Sequence, residues 1–254
     1  MWGTKFAHIS TRRAEGRFIL GIDHVEKDEA KAALEMLRRL KPYASGAQAV
    51  VWDMILRGDH LQVILTEFGL VPVVKVHAKQ NPRGGKGRRA GAYVPKTLDL
   101  DTITVTMADG SERVVQIAAC DGWASVKELT ETGEPFYERL ECGRLQRHED
   151  AAGYRWYGYY KVPMAHGGKV ISVRHHQNAD DDSRGLNRTE NLRPIPEGSE
   201  DFARLQVLRP DAESINRGIE DSLFINRASG WRRLLVDQLG YARLVNATTL
   251  ARCW

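Results

Sequence analysis

The segment that most constrains the fold runs from Gln48 to Gly58 and reads Gln-Ala-Val-Val-Trp-Asp-Met-Ile-Leu-Arg-Gly. Its apolar half is typical of a short buried strand, which ends in the lone carboxylate of Asp53, and a helical pattern begins at Asp59. In an α/β sheet such a junction lies at the carboxyl end of a strand, where catalytic and ligand-binding groups collect. Asp53 is therefore a candidate metal ligand, although helix caps and loop residues are the commoner roles of an aspartate at such a junction.

Hydrophobic periodicity predicts regular elements over the first 78 residues. These are strands over 5–10 and 17–25 joined by a turn, a helix over 26–40, a strand over 47–53, a helix over 59–68 and a strand over 71–77. Pro42 ends the first helix, and Gly69 ends the second. The order ββαβαβ predicts an α/β fold in which helices pack against a mixed sheet.

The composition changes after residue 78. Residues 79–96 contain six basic residues, four glycines and no acidic residue, which indicates either a basic loop that binds a partner or a solvated linker. Residues 99–176 are predicted to be mostly β, with a hairpin over 101–119 that turns at Asp109-Gly110. The aromatic strand over 154–160 could stack on bases, although aromatic strands more often belong to a core.

The last part of the chain is polar and then helical. Residues 177–199 are turn-rich, a helix is predicted over 199–208, a second helix begins at Pro210 and carries Glu213, and an amphipathic helix follows over 231–252. Asp53 and Glu213 lie far apart in sequence, but a strand end and a facing helix can bring two carboxylates to one cation. Mg²⁺ binds one or two protein carboxylates and completes its coordination with water and phosphate oxygens.

The charge and the cysteines limit the class of protein. The net charge is +4 and the pI is about 9.0, which permits nucleic-acid binding because the basic residues are clustered. The three cysteines fit neither a disulfide framework nor a zinc site, so we expect a reducing cytoplasm. No stretch approaches the roughly 18 apolar residues of a membrane span, and the N-terminus lacks the layout of a signal peptide. The expected location is therefore cytoplasmic, and no membrane partner is expected.

Two groups of motifs resemble the DDE transposases of bacterial insertion sequences. The stretches Val-Val-Trp-Asp53-Met-Ile-Leu-Arg-Gly58 and Val-Pro-Val-Val-Lys-Val-His77 are similar to the second-aspartate region of that family. Three further stretches of this chain are similar to the family's glutamate region and C-terminal helix. They are Asn-Arg-Thr-Glu-Asn-Leu-Arg193, Arg209-Pro-Asp-Ala-Glu213-Ser-Ile-Asn-Arg217 and Leu-Val-Asn-Ala247. The resemblance implies an RNase H-like mixed sheet with flanking helices, interrupted by a β-rich insertion before the C-terminal helices. It also implies Mg²⁺- or Mn²⁺-dependent cleavage and transfer of transposon DNA.

By matching position, the resemblance makes Asp53 the second catalytic carboxylate and Glu213 the third, and both would bind the metal. Arg209 matches the arginine of the family's tyrosine–arginine–glutamate–lysine signature, but Gln206 and Glu220 occupy the tyrosine and lysine positions. The candidate DNA-binding residues are the cations Arg57, Lys75, Lys79, Arg83, Lys86, Arg88, Arg89, Arg209 and Arg217.

The first catalytic aspartate of the family has no counterpart here. Asp23 would lie on the third strand of a sheet ordered 3-2-1-4-5, three strand spacings or roughly 14 Å from the Asp53 strand, which is too far to share a metal. We therefore expect a copy that is truncated before its first strand and weakly active or inactive. His175-His176 near Asp180-Asp-Asp182 is a poor candidate for a metal site, because the histidines are adjacent rather than four residues apart.

Residues 1–78 are expected to form the first part of the core, residues 79–198 the basic loop and β-rich insertion, and residues 199–254 the helices that complete the core. The expected partners are transposon-end DNA and target DNA, bound by a homodimer near the nucleoid. Two other functions remain open: an inactive DNA-binding remnant of a transposase, and a stand-alone RNase H-like nuclease. Salt-sensitive DNA binding without cleavage would indicate the remnant, and hydrolysis without strand joining would indicate the nuclease.

Overall fold

The computed structural model describes residues 5–14, 16–25, 27–52, 55–76, 95–107, 109–210, 214–215 and 246. The chain divides into two compact units. The first unit contains residues 1–47 and 204–254, and the second contains residues 48–203.

In the first unit, a β-hairpin packs against one helix. Strands β1 (Lys5–Arg13) and β2 (Gly16–Val25) pair antiparallel, and helix α1 (Glu29–Leu40) follows them. Asp28 caps α1 by accepting a hydrogen bond from the Lys31 N–H at 3.1 Å. The buried side chains of these three elements are apolar: Ala7, Ile9, Ile19, Ile22, Val25, Ala30, Ala33, Leu34, Met36 and Leu37. The predicted hairpin and helix are confirmed, and the strands extend further toward the turn than predicted.

The second unit begins with a parallel strand–helix–strand crossover. Strand β3 (Ala49–Val51) and strand β4 (Val71–Val73) pair in parallel, with helix α2 (Gly58–Thr66) between them in sequence. Leu61, Ile64 and Leu65 of α2 are buried. The three elements confirm the predicted order, with shorter strands than the apolar pattern indicated.

The β-rich part of the second unit consists of two antiparallel sheets. The first sheet has the order β5 (Thr97–Thr106), β6 (Glu112–Cys120), β7 (Trp123–Leu129) and β8 (Pro135–Arg139). The second sheet contains β9 (Cys142–Asp150), β10 (Gly153–Lys161) and β11 (Val170–Arg174), with β10 in the centre. The predicted turn at Asp109-Gly110 is confirmed, and the Asp109 carboxylate accepts a hydrogen bond from the Ser111 N–H at 2.9 Å.

These two sheets share one apolar core. Its buried members are Leu100, Val105, Val115, Ile117, Ala119, Ala124, Val126, Leu140, Tyr160, Val162, Ile171, Val173 and Leu192. A second cluster joins β10 to the crossover, because Trp156 packs against Leu65 and Val71 and donates from its indole N–H to the Leu65 carbonyl at 3.2 Å. Gly69, at φ +63°, lies against the ring of Tyr154, where a Cβ would be 2.8 Å from the ring.

The polar segment after β11 forms three short helices: α3 (Ala179–Ser183), α4 (Arg188–Asn191) and α5 (Glu200–Gln206). The fully buried Asp181 and Arg188 hold this segment together through an ion pair of 2.8 Å. Residues 209, 210, 214 and 215 are also helical, close to the predicted start at Pro210. The final helix predicted over 231–252 falls outside the described residues, apart from the helical Asn246.

The architecture is therefore mixed α/β, with antiparallel sheets and few helices. The described strands form four separate sheets, of which β3–β4 is parallel. A single mixed sheet that includes β1–β2 and β3–β4 stays a prediction. Within the described ranges, no helix combines the length and apolar character needed to cross a membrane.

Candidate functional site at the carboxyl end of the parallel strands

The candidate site lies where β3 and β4 end and α2 begins. The Trp52 N–H donates to the Val73 carbonyl at 3.3 Å, which extends the parallel ladder by one residue beyond β3. Arg57 and Gly58 then open α2, with Arg57 in an extended conformation as its N-cap residue. Functional groups of α/β proteins collect at this end of parallel strands.

The first residue of α2 makes direct contact with α4. The Gly58 N–H donates to Oε2 of Glu190 at 2.6 Å, and the Thr189 hydroxyl donates to the Gly58 carbonyl at 2.8 Å. A Cβ on residue 58 would lie 2.5 Å from Oδ1 of Asn187 and 3.0 Å from Cβ of Glu190. The absence of a side chain at position 58 therefore permits the approach of the two segments.

Local capping shapes the segment 187–193. The Asn187 side chain accepts a hydrogen bond from the Glu190 N–H at 3.0 Å and so begins α4. After α4, Leu192 enters the core of the two sheets, and the Arg193 N–H donates to the Gly122 carbonyl at 2.9 Å. These contacts hold the segment against both the β-rich part and the crossover.

Glu190 is an ionised carboxylate with two basic neighbours. Its carboxylate lies 3.0 Å from Nζ of Lys96 and 3.9 Å from Nη1 of Arg57. Burial opposes ionisation, but the hydrogen bond and charge of Lys96, the Gly58 N–H and the charge of Arg193 hold the pKa of Glu190 below its ordinary value. The carboxylate can thus accept the first N–H of α2 in its charged form, which a helix N-terminus favours.

Arg193 is a buried cation beneath the same site. Its Nε donates to the Val74 carbonyl at 3.1 Å, just beyond β4, and its Nη1 donates to the Thr189 carbonyl at 2.6 Å. Nη2 is buried and has no hydrogen-bond partner among the described residues. Burial lowers the pKa of Arg193 to about 10, against the opposing effect of the Glu190 charge, so the guanidinium stays protonated at neutral pH.

The arrangement supplies positive charge at the strand ends. Three cations, Arg57, Lys96 and Arg193, lie around the carboxylate of Glu190. Clustered positive charge attracts anions, phosphates among them. Arg57 is the most accessible of the three, since its side chain is 57% exposed and its Glu190 contact is long.

The described residues do not form a metal site by themselves. Glu190 is already bonded to Lys96 and Gly58, and no group of three or more His, Cys, Asp or Glu side chains that could hold a metal ion occurs in the described ranges. The predicted metal ligands Asp53 and Glu213 lie outside the described residues. The predicted DNA-binding residues Lys79, Arg83, Lys86, Arg88, Arg89 and Arg217 lie outside them as well.

The other predicted DNA-binding residues are described. Arg57 lies at the site, and Lys75 follows β4 and forms an ion pair with Glu197. Arg209 is exposed in the helical stretch at 209–210 of the first unit. Asp23, the weak alternative for the first catalytic aspartate, forms an ion pair with Arg39.

Among the histidine and aspartate residues of 175–182, His175, His176 and Asp181 are buried, and Asp180 and Asp182 are exposed. His175 hydrogen-bonds through Nε2 to the Tyr160 hydroxyl at 2.9 Å, and Nδ1 of His176 accepts from the Trp156 N–H at 3.1 Å. Asp181 binds Arg188 and Arg174, each at 2.8 Å. Burial lowers the pKa of His175 to about 3 and that of His176 to about 4, so both rings are neutral at pH 7.

Three residues of the candidate site were not predicted from the sequence: Lys96, Glu190 and Arg193. The spacing Asn187-Arg-Thr-Glu190 was a usable signal, because a capping residue followed three positions later by Glu marks a helix start. The contact of that helix start with Gly58 spans 132 positions, and no local pattern reveals it. No family model, curated protein or solved structure matches this chain.

Proposed function

We propose that this chain is the catalytic core of a DDE-type DNA transposase with an RNase H-like arrangement of its core. One observation carries the proposal: the Gly58 N–H and the Glu190 carboxylate hydrogen-bond at 2.6 Å across 132 positions. The two stretches that this bond joins, 50–58 and 187–193, are both among those whose sequences resemble that family.

The proposed chemistry would depend on the carboxylates of Asp53 and Glu213. Asp53 follows Trp52, the last residue of the described ladder, and Glu213 would be delivered by the helix that begins near Pro210. Mg²⁺ or Mn²⁺ held by these carboxylates would stabilise the charge on the attacking and leaving oxygens of a phosphodiester.

The described residues of the site would help to bind DNA rather than the metal ion. Arg57 is exposed and close to the strand ends, so it can donate to a phosphate oxygen. Glu190 and Lys96 would fix the start of α2, and thereby the position of Arg57. The basic residues of 79–96, with Lys75, Arg209 and Arg217, would extend the contact along transposon-end and target DNA, bound by a homodimer.

The test is a plasmid nicking and strand-transfer assay with Mg²⁺ or Mn²⁺. Asp53→Asn and Glu213→Gln should each abolish the weak turnover that is expected of this chain, since even the partners of metal ligands are worth about 10–100-fold. Glu141→Gln removes an exposed carboxylate between β8 and β9 and serves as the matched control. Turnover that survives both substitutions would contradict the proposal.

A non-catalytic DNA-binding protein is the second candidate. It is favoured by the pairing of Glu190, the carboxylate described at the strand ends, with Lys96, while Arg57 stays exposed. Duplex binding that weakens steeply with salt, together with no metal-dependent cleavage by the unmodified chain, would select it. Cleavage that never yields joined strands would instead indicate a nuclease.

A further inference from the structure

The sheet β9–β10–β11 carries an aromatic and basic face that the proposed reaction does not use. Side chains of a strand alternate between its two sides, and in β10 Trp156 and Tyr160 are buried in the cores. Tyr157 and Tyr159 therefore lie on the opposite side, where they are partly exposed. The strand register places Arg144, His148, Arg155 and Lys161 on the same side, which we call the outer face. Its remaining members are Gln146, Asp150, Val170, Ser172 and Arg174.

The two tyrosine rings of the outer face already contact flat groups. The Arg144 guanidinium lies over the Tyr159 ring at 4.5 Å from its centroid, and the His148 ring meets Tyr157 edge to face with centroids 5.5 Å apart. A shallow depression of about 280 Å³ is lined by His148, Arg155, Tyr157, Tyr159 and Ser172. The two tyrosines are two positions apart, about 7 Å along the strand, so each ring can receive a separate planar group.

The charges of the outer face are suited to a polyanion. Arg144, Arg155 and Lys161 are exposed. Asp150 is the one acidic side chain that the strand register places on this face, and it pairs with Arg155 at 2.7 Å. Both side chains of that pair are about half exposed, and such surface pairs contribute little free energy, so a phosphate can replace Asp150.

We propose that the outer face binds a short segment of single-stranded DNA, with bases stacked on Tyr157 and Tyr159 and phosphates bound by Arg144, Arg155 and Lys161. Aromatic side chains within a basic groove are the usual means of holding unpaired strands, because every base has a π-face. A duplex hides those faces, and an acidic peptide offers charge without planar rings. The choice of DNA rather than RNA rests on the proposed function, which would bring DNA strand ends to this chain.

The first test uses fluorescence anisotropy of a labelled oligothymidine with the full chain, in EDTA so that no metal-dependent reaction occurs. Replacing both rings in Tyr157→Leu/Tyr159→Leu should weaken binding by at least about tenfold, whereas Tyr157→Phe/Tyr159→Phe should keep it. Tyr43→Leu is the matched control, since Tyr43 is 87% exposed and lies outside the β-rich part. Circular dichroism of each variant checks that the sheet has folded.

The second test removes the charge of Arg155, whose surface ion pair with Asp150 contributes little to stability. Arg155→Gln should weaken binding and reduce the slope of log affinity against log salt by about 0.7. Arg113→Gln is the control, because Arg113 is 49% exposed and pairs with Glu128 at 3.1 Å, much as Arg155 pairs with Asp150, but on the other sheet.

Four results would overturn the inference: Tyr→Leu and Tyr→Phe variants that bind alike, equal effects of the two arginine variants, competition by polyglutamate as strong as by oligothymidine, or tighter binding of an RNA strand of equal length. Its failure is distinct from failure of the proposed function. The oligothymidine assay needs no metal and no cleavage, whereas the nicking assay depends on Asp53 and Glu213.

Discussion

Gly58 is the residue on which the contact between α2 and α4 depends. Ala is more favourable than Gly by about 0.5–1 kcal/mol in the middle of a helix, and Gly58 is the first residue of α2, so Gly58→Ala would be neutral or slightly stabilising if the surroundings were open. They are not open, because the added Cβ would meet Asn187 at 2.5 Å and Glu190 at 3.0 Å. We expect a net loss of about 1–2 kcal/mol in the free energy of unfolding, since overpacking typically costs about 1–3 kcal/mol.

Urea unfolding of Gly58→Ala against Gly46→Ala measures this loss. A Cβ on Gly46 would meet nothing within 4 Å, so the control should keep or slightly raise the urea midpoint. In the double variant Gly58→Ala/Asn187→Ala the nearest atom is removed, and the two effects should not add. Equal midpoints for Gly58→Ala and Gly46→Ala would contradict the described contact.

At the scale of elements, the short helices α3 and α4 depend on the buried pair Asp181–Arg188. Both side chains are fully buried, and Arg188 also reaches Asp101 at 3.3 Å. Burial alone would raise the pKa of Asp181, but hydrogen bonds and charge from Arg188, with the charge of Arg174, hold it below its ordinary value. Asp181→Asn leaves a buried guanidinium without its main counter-charge, and we expect a loss of about 3–5 kcal/mol.

Asp180→Asn is the control at the neighbouring position. Asp180 is 64% exposed and lies 3.5 Å from Arg184, so its loss should change stability by less than about 1 kcal/mol. Thermal or urea unfolding of both variants gives the comparison. The double replacement Asp181→Leu/Arg188→Met should recover much of the loss, because it removes both charges. Similar unfolding of the Asp180 and Asp181 variants would show that the buried pair does not organise the segment.

Whether a strand could be predicted from the sequence depended on how clearly its residue types differ from those of a loop. The strand over 154–160 was predicted because aromatic residues dominate it, and β10 spans Gly153–Lys161. Strand β9, Cys142–Asp150, was not predicted individually, because one of its faces is solvated and the other includes Arg147 and Glu149. The interpretation of the aromatic strand as part of a core is confirmed on one face, where Trp156 is buried. Base stacking on the other face, where Tyr157 is partly exposed, stays a proposal.

At the scale of the whole molecule, the sequence indicated the position of the candidate site but few of the residues that the structure describes there. The strand–carboxylate–glycine junction marked the carboxyl end of β3, and Arg57 lies at that end. Lys96, Glu190 and Arg193 could not be found in the same way, since their roles arise from contacts across 94, 132 and 119 positions. Local patterns record which face of an element is buried, but they carry no information about which distant segment covers it.

Acid stability is a property of the whole second unit, because His175 and His176 lie where β10, β11 and the polar segment meet. Burial lowers the pKa of His175 to about 3 and of His176 to about 4, whereas an unfolded histidine titrates near 6.5. The unfolded chain therefore binds protons first as the pH falls, and the native state loses stability below about pH 6.5. The stabilisation from the neutral rings is complete above that pH.

Between pH 6 and 5, each of the two histidines should lower the free energy of unfolding by about 1.4 kcal/mol per pH unit. Urea unfolding across this interval measures the slope. His176→Asn keeps an acceptor for the Trp156 N–H, and His175→Gln keeps a partner for the Tyr160 hydroxyl, so each variant should reduce the slope by about half without a large loss at pH 7. A slope that neither buried substitution alters would mean that both rings accept protons in the folded protein, contrary to their burial.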